Sequence, residues 1–411
     1  MPTYLVKAPE GFSITEIPDP PDPQPPEEPK QFGFVYPSFG PTMSAQQFVE
    51  KFQASMLNPN SYQIGIDYGA DIRVLNPNGV YLKHINLRTI VPGNSDDHPD
   101  YDWIHQNHPE WIIRDANGKT VPLFLPEEEC CDFGNDAYLD YCLNKWMPEQ
   151  YFDDTDKDTS KVFCYLQDNG NFKAQSINCA GGDAVCTRYT SDEGVQSAWK
   201  HMLDRWKAKW PNHRIFVNTG PTCYEAPEAQ LPRMKDVLAH ADGYYSESLT
   251  SDHVYYSEQP PDQLRNAMEA TMQLADWLAQ NDKYFFPNLG TDTDGSEPTQ
   301  EETDYAYAFF NLMRRGNKQF YSQAKVDVNG IWAPTVYPEM ELALGQALGE
   351  RTQISTNLYR RKFAKATAYV NLRDDKVSIS LPEAVNKNSL GANIASPLLL
   401  NSFRGLTLYH Y

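Results

Sequence analysis

Strand-like and helix-like segments alternate from Gln31 to about Gly345, and this alternation constrains the fold more tightly than any other property of the chain. FGFVYPSF reads as a buried strand, and Ser44 then opens an amphipathic helical pattern in SAQQFVEKFQASM. YQIGIDYGA and VYLKHINLRTI are the next β-like runs, followed by a helical DAYLDYCLNKWM and the strand KVFCYLQD. Ser197 to Trp210 is predicted as a helix with Trp199, Met202, Leu203 and Trp206 on one face. RIFVNTG, DGYYSES, YFFPNLGT and KQFYSQ read as strands, interleaved with helices over PRMKDVLAHA, Asp262 to Gln280 and Tyr305 to Arg314. A parallel sheet follows from such alternation, and about eight strand signals call for an α/β fold closed as a (β/α)8 TIM barrel.

Two flanking regions differ in character. PDPPDPQPPEEPK makes residues 1–30 an N-terminal arm with a Pro-rich linker of polyproline type. Alternating apolar positions in the arm (Tyr4, Val6, Phe12, Ile14, Ile17) suit docking on a larger assembly. After the barrel, residues 31–345, the segments KFAKATAYVNL, KVSISLPE and GLTLYHY are β-branched and alternating, so residues 346–411 are expected to form a C-terminal antiparallel β-domain.

Composition narrows the function. There are 35 Lys+Arg against 55 Asp+Glu, a net charge of −20, which argues against nucleic acid or a membrane surface as partner. No apolar run is long enough for a membrane-spanning helix. The amino terminus lacks the basic and apolar regions of a signal peptide, so the chain is expected either in the cytosol or outside it by another route, such as a virion. Seven cysteines are too scattered for a disulfide scaffold, although Cys179 and Cys186 bracket a short loop and could pair. His105 and His108 lack further ligands at metal-binding spacing, NGKT lacks the first glycine of a phosphate loop, and DTDKDTSKVFCY lacks the glycine and closing Glu of a calcium loop. Neither a metal nor a cofactor is expected.

In a barrel the chemistry sits at the carboxyl ends of strands. Asp168 closes KVFCYLQD and Glu247 closes DGYYSE. A pair of carboxylates facing one cleft is what glycoside hydrolysis requires, one attacking or activating water and the other protonating the leaving oxygen. Asn86 and Asn218 end two other strands and suit hydroxyl recognition, as does Asn169 beside Asp168. His108 and Trp111 on one loop, with Tyr165 and Tyr245 in or beside strand ends, are candidates for stacking and hydrogen bonding to sugars. Asp132 in CDFGN is expected to cap the following helix.

The stretches HINLRTI, NHPEWIIRDANGK, CDFGNDAYLDYCLNKW, KVFCYLQDNG, RIFVNTG and DGYYSES, with the closing LGERTQISTNLYRRKFAKATAYVNL, together resemble the glycoside-hydrolase-like TIM-barrel proteins known as hypothetical glycosyl hydrolases. The resemblance runs from about Phe34 to about Pro382. It implies Asp168 as nucleophile or base and Glu247 as general acid. Phe163 and Cys164 stand where the family's strand-four motif has an Asp-Gly pair, whereas its Asp-Asn pair is intact as Asp168-Asn169. The expected function is hydrolysis of O-glycosyl bonds in a polysaccharide. The rival expectation is a non-catalytic glycan-binding or structural component of a larger assembly, such as a phage tail or surface appendage, built on the same barrel.

Overall fold

The computed structural model describes residues 32–35, 45–51, 54–57, 72, 75–93, 98–123, 126–152, 163–167, 172, 174, 186–219, 227–246, 260–287, 299–322, 325–326, 332–333, 337–382 and 386–410. The N-terminal arm, and with it any docking role, lies outside the described residues, as does the run YQIGIDYGA up to Ala70.

Eight parallel strands form the central sheet: β1 (Phe32–Val35), β2 (Ala54–Leu57), β3 (Val80–Ile85), β4 (Phe163–Gln167), β5 (His213–Asn218), β6 (Gly243–Ser246), β7 (Tyr284–Pro287) and β8 (Tyr321–Ser322). From β1 through to β7 the strands pair in chain order, and β8 pairs with β1. Gln319, just before β8, forms a parallel bridge to Phe285 of β7, and the Phe320 N–H donates to the Phe285 carbonyl at 2.9 Å. The two ends of the sheet therefore meet, and the strands follow chain order around a ring.

Side chains alternate between two apolar layers, as the period of two along a strand dictates. Val80, Leu82, Cys164, Leu166, Phe216, Tyr245, Phe286 and Phe320 form the interior cluster. Tyr81, Ile85, Phe163, Tyr165, Ile215, Val217, Tyr244 and Phe285 belong to the larger core shared with the helices. Strands buried on both faces read as continuous apolar runs, which is why RIFVN and KVFCYL stand out in the sequence.

The outer helices are α1 (Ala45–Lys51), α2 (Tyr101–Asn107), α3 (Asp136–Tyr141, continued by a π-helical stretch Cys142–Tyr151), α4 (Asp192–Lys209), α5 (Pro227–Leu238), α6 (Pro261–Gln280) and α7 (Gln300–Met313). α4 begins five residues earlier than its apolar stripe suggests, because Ser191 caps it by accepting the Gly194 N–H. Trp199, Met202, Leu203 and Trp206 are fully buried on its inner face, as expected. α7 starts at a capping box in which Thr299 and Glu302 satisfy each other's backbone donors, earlier than the expected Tyr305.

Three local expectations are corrected. The helical pattern from Ser44 was extended to Met56, yet Ala54–Leu57 is a strand paired on both sides, Gly33↔Ala54 and Ala54↔Val80. Pairing within the sheet outweighs the helical preference of Ala, Met and Leu, which stand among the best helix formers. The cap of α3 is Asn135, whose Oδ1 accepts the Ala137 and Tyr138 N–H groups, and not Asp132. Asp132 instead pairs with Arg188 at 2.8 Å and accepts the Tyr189 hydroxyl at 2.5 Å. Cys186 is a free buried thiol whose Sγ accepts the Tyr189 N–H, so it forms no bridge to Cys179, itself outside the described residues.

The C-terminal region is antiparallel, as its alternation implies: β9 (Thr352–Ser355), β10 (Leu358–Lys362), β11 (Ala366–Asn371), β12 (Asn386–Lys387) and β13 (Arg404–His410), in the order β9-β10-β11-β13-β12. One face lies on α7. There Gly405 lets the strand approach closely, since a Cβ would stand only 3.0 Å from Ala308 Cβ and from the Tyr369 carbonyl oxygen. The other face carries Leu358, Tyr369, Leu406 and Leu408, covered by Ile379, Leu398 and Leu400 of a two-stranded ribbon. Among the described residues, no helix is long and apolar enough to cross a membrane.

Candidate active site

The sheet register aligns the carboxyl ends of five strands. Ile85 pairs with Gln167, Gln167 with Val217, Val217 with Tyr244, and Tyr244 with Phe285. That row faces the helices. The next residue along β3, β5, β6 and β7 is Asn86, Asn218, Tyr245 and Phe286, with Asn218↔Tyr245 and Tyr245↔Phe286 in direct register. Tyr245 and Phe286 belong to the interior cluster, and Asn218 stands two residues beyond the interior Phe216. Three of the sequence-derived candidates, Asn86, Asn218 and Tyr245, thus share one level of the ring.

Polarity rises toward this level. Below it the interior is lined by Val80, Leu82, Cys164, Leu166 and Phe216, with the buried His84 in register with Leu166 one step under Asn86. At it, and just beyond, the buried residues are Asn86, Arg88, Thr89, Gln167, Asn218, Thr219 and Ser246. Buried polar groups need hydrogen-bond partners, so this concentration at one end of an apolar ring marks where a polar ligand could be held.

The turn after β3 is fixed from several sides. Asn86 Oδ1 accepts the Arg88 N–H at 3.1 Å, which leaves its Nδ2 donor as the group to offer a ligand. The Leu87 N–H donates to Gln167 Oε1 at 3.0 Å, and the Leu87 carbonyl accepts the Tyr138 hydroxyl at 2.8 Å. The Arg88 carbonyl accepts the Cys131 N–H at 2.7 Å, while its buried guanidinium lies 5.2 Å from the Phe133 ring and 5.6 Å from that of Trp199. Gln167 and Arg88 were not singled out from the sequence. The only signal was a polar residue at the end of an apolar strand run.

The excursion between β3 and β4 holds His108 and Trp111. His108 stacks on Trp111 with ring centroids 3.9 Å apart and bonds Glu110 Oε1 through Nδ1 at 2.9 Å, a contact that lowers the Glu110 carboxyl below its usual range. Trp111 also meets Tyr138 edge-on at 5.6 Å, so its ring is enclosed by protein. Trp103 stacks on Tyr141 at 4.3 Å, with Lys145 Nζ over the ring at 4.5 Å. The nearby DANGK turn is structural: Asp115 Oδ1 accepts the Asn117 and Lys119 N–H groups, and Gly118 takes φ +81°. Tyr165 points to the helix layer, against Trp206, Phe152 and His213, away from the interior row.

Asp168, Asn169 and Glu247 lie outside the described residues. Among the described residues, no three His, Cys, Asp or Glu side chains gather as a metal site.

Solved structures with a similar fold include a family GH13_31 enzyme (12% identity, 93% of this chain and 99% of that one covered, TM-score 0.50). Eubacterium rectale Amy13B (10%, 93% and 96%, 0.49) and the noncanonic maltogenic α-amylase AmyB of Thermotoga neapolitana (10%, 93% and 99%, 0.48) are also similar. At such identities the likeness of the first concerns the fold. A comparison with curated proteins gives no match. Residues 75–367, most of the chain and all of it from just before β3 into β11, match the family model described as hypothetical glycosyl hydrolase family 15, and the chain belongs to that family.

Proposed function

We propose that this chain is a glycoside hydrolase that cleaves O-glycosyl bonds of a polysaccharide, with Asp168 as nucleophile or base and Glu247 as general acid. The observation that carries the reading is the interior row Asn86, Asn218, Tyr245 at the carboxyl end of the ring. On the strand between β3 and β5, the residue next after Gln167 is Asp168, two on from the interior Leu166. On β6, Glu247 follows two residues after the interior Tyr245. A period of two would carry both carboxylates to the face that holds Asn86 and Asn218. Two acids there, one ionised and one protonated, meet the requirement of glycosidic cleavage. The division into an arm (1–30), a catalytic barrel (31–345) and a supporting β-domain (346–411) belongs to the same reading.

Reducing-sugar release from a panel of capsular, exopolysaccharide and plant glycans tests it, with Asp168→Asn and Glu247→Gln alongside. Release by the wild type that is lost in both variants supports the assignment. Full release by both variants sinks the pair. Glycan binding without release by the wild type favours a binding protein over an enzyme.

A further inference from the structure

At the junction of the ring with the C-terminal sheet, two carboxyl groups come together. Asp304 lies on α7, and Glu339 lies on the short helix Pro338–Glu341 that leads toward the C-terminal region. Gln300 Nε2 donates to Glu339 Oε1 at 2.8 Å and to Asp304 Oδ1 at 3.1 Å, so one amide joins both acids. The Ser389 hydroxyl, from the turn after β12, donates to Asp304 Oδ1 at 3.4 Å. Glu339 is 1% exposed, and its Oε2 has no hydrogen-bond partner among the described residues. Other groups facing the pair are the phenols of Tyr307 on α7, Tyr321 on β8, Tyr337 before the short helix and Tyr409 on β13. Arg404, close by, pairs with Glu301. Among the described residues, neither acid is in a salt bridge with Lys, Arg or His.

Two ionised carboxylates in so buried a place would repel one another and lack solvation. We propose that Asp304 holds a proton beside Glu339, and that this proton lets the Pro338–Glu341 helix pack against α7, so that its loss sets the two side chains against each other and loosens that helix at the junction of ring and C-terminal sheet. The expected direction follows from the environment. Burial above all, with the Glu339 charge adding to it, pushes the Asp304 carboxyl up to about 7. Burial likewise pushes the surrounding phenols up, Tyr307 to about 12, so they stay neutral throughout. A folded-state pKa raised above the unfolded value means that the contribution is complete below the ordinary carboxylate range and is lost as pH rises through about 7. The device belongs to the fold and does not depend on the reaction proposed above.

The test is hydrogen exchange of the full chain at pH 6 and pH 8, corrected for the intrinsic rate, with Asp304→Asn and Glu339→Gln beside the wild type. The expected result is that protection of residues 338–341 falls several-fold at pH 8 in the wild type, while that of 386–394, held by a donor to Asp304, does not, and that both are equal at the two pH values in Asp304→Asn, whose amide keeps a neutral hydrogen-bonding group in place. Should Asp304→Asn not fold, Glu339→Gln serves as the same comparison. Equal protection of residues 338–341 in the wild type at both pH values overturns the proposal, as does an unchanged pH response in the variants. Adding a chelator at pH 6 separates the remaining case: loosening caused by it would mean that a bound cation, not a proton, neutralises the pair, and would also overturn the proposal.

Discussion

Gln167 Oε1 accepts the Leu87 N–H at 3.0 Å, so the last side chain of β4 holds the turn that follows β3, 80 residues earlier in the chain. Both groups are buried. The bond fixes the backbone between Asn86, which faces the interior row, and Arg88, whose guanidinium is packed against Phe133 and Trp199.

Replacing Gln167 by Leu keeps the volume but leaves the Leu87 N–H buried and unpaired. A loss of about 1–3 kcal/mol is expected from such an orphaned donor. Urea denaturation should show a lower midpoint with an unchanged slope. A midpoint equal to that of the wild type would mean that the bond carries no weight.

Gly243 opens β6 between Phe216 and Tyr284, its register neighbours on either side. A Cβ at Gly243 would lie 2.4 Å from Phe216 Cε1 and 2.8 Å from Tyr284 Cβ. Gly243→Ala must therefore displace an aromatic ring in the packed interior. A cost of about 1–3 kcal/mol is expected from overpacking, read as a lower melting temperature in calorimetry. An unchanged melting temperature would show that the interior has slack at this level.

The ring was legible because its strands are buried on both faces and its helices on one, so RIFVN and the Trp199–Trp206 stripe carry their periods openly. β2 was not, because Ala54–Leu57 is a strand only by virtue of its two neighbours. In the site, Asn86, Asn218 and Tyr245 could be found as strand-end residues, and their common level required the register. Tyr165 was drawn into the same list because a tyrosine near a strand end reads alike from sequence whichever face it occupies. One residue of parity separates its packed ring from the interior row. The roles of Gln167, Arg88 and the Asp304–Glu339 pair depend on contacts between distant segments, for which local pattern holds no signal.

Trp206 buries its ring against Tyr165 at 5.3 Å and donates from Nε1 to the His213 carbonyl at 2.8 Å, joining α4 to the start of β5. Trp206→Phe retains most of the packing and loses the bond, for an expected cost of about 1–3 kcal/mol. Trp206→Ala adds a cavity and should cost about 3–5 kcal/mol. The ordering of the two unfolding midpoints checks the argument: equal losses would assign the whole effect to the hydrogen bond.

Asn86 separates a binding role from a structural one. Its Oδ1 is occupied by the Arg88 N–H, so Asn86→Asp preserves that acceptor and with it the turn. The substitution removes only the Nδ2 donor and puts an acceptor oxygen in its place. If the interior row binds sugar, a ligand oxygen that met the amide now meets an anion, and kcat/KM should fall by roughly tenfold or more, the equivalent of about 1.4 kcal/mol or more. The thermal midpoint should fall as well, because a carboxylate at a residue 1% exposed lacks solvation even with the turn retained, so kcat/KM is read well below the variant's midpoint. Asn218→Asp, one strand beyond β4 at the same level, should lower kcat/KM in the same direction. Undiminished hydrolysis by both variants would place the substrate elsewhere, and a large drop in stability without a change in kcat/KM would reduce Asn86 to the turn it builds.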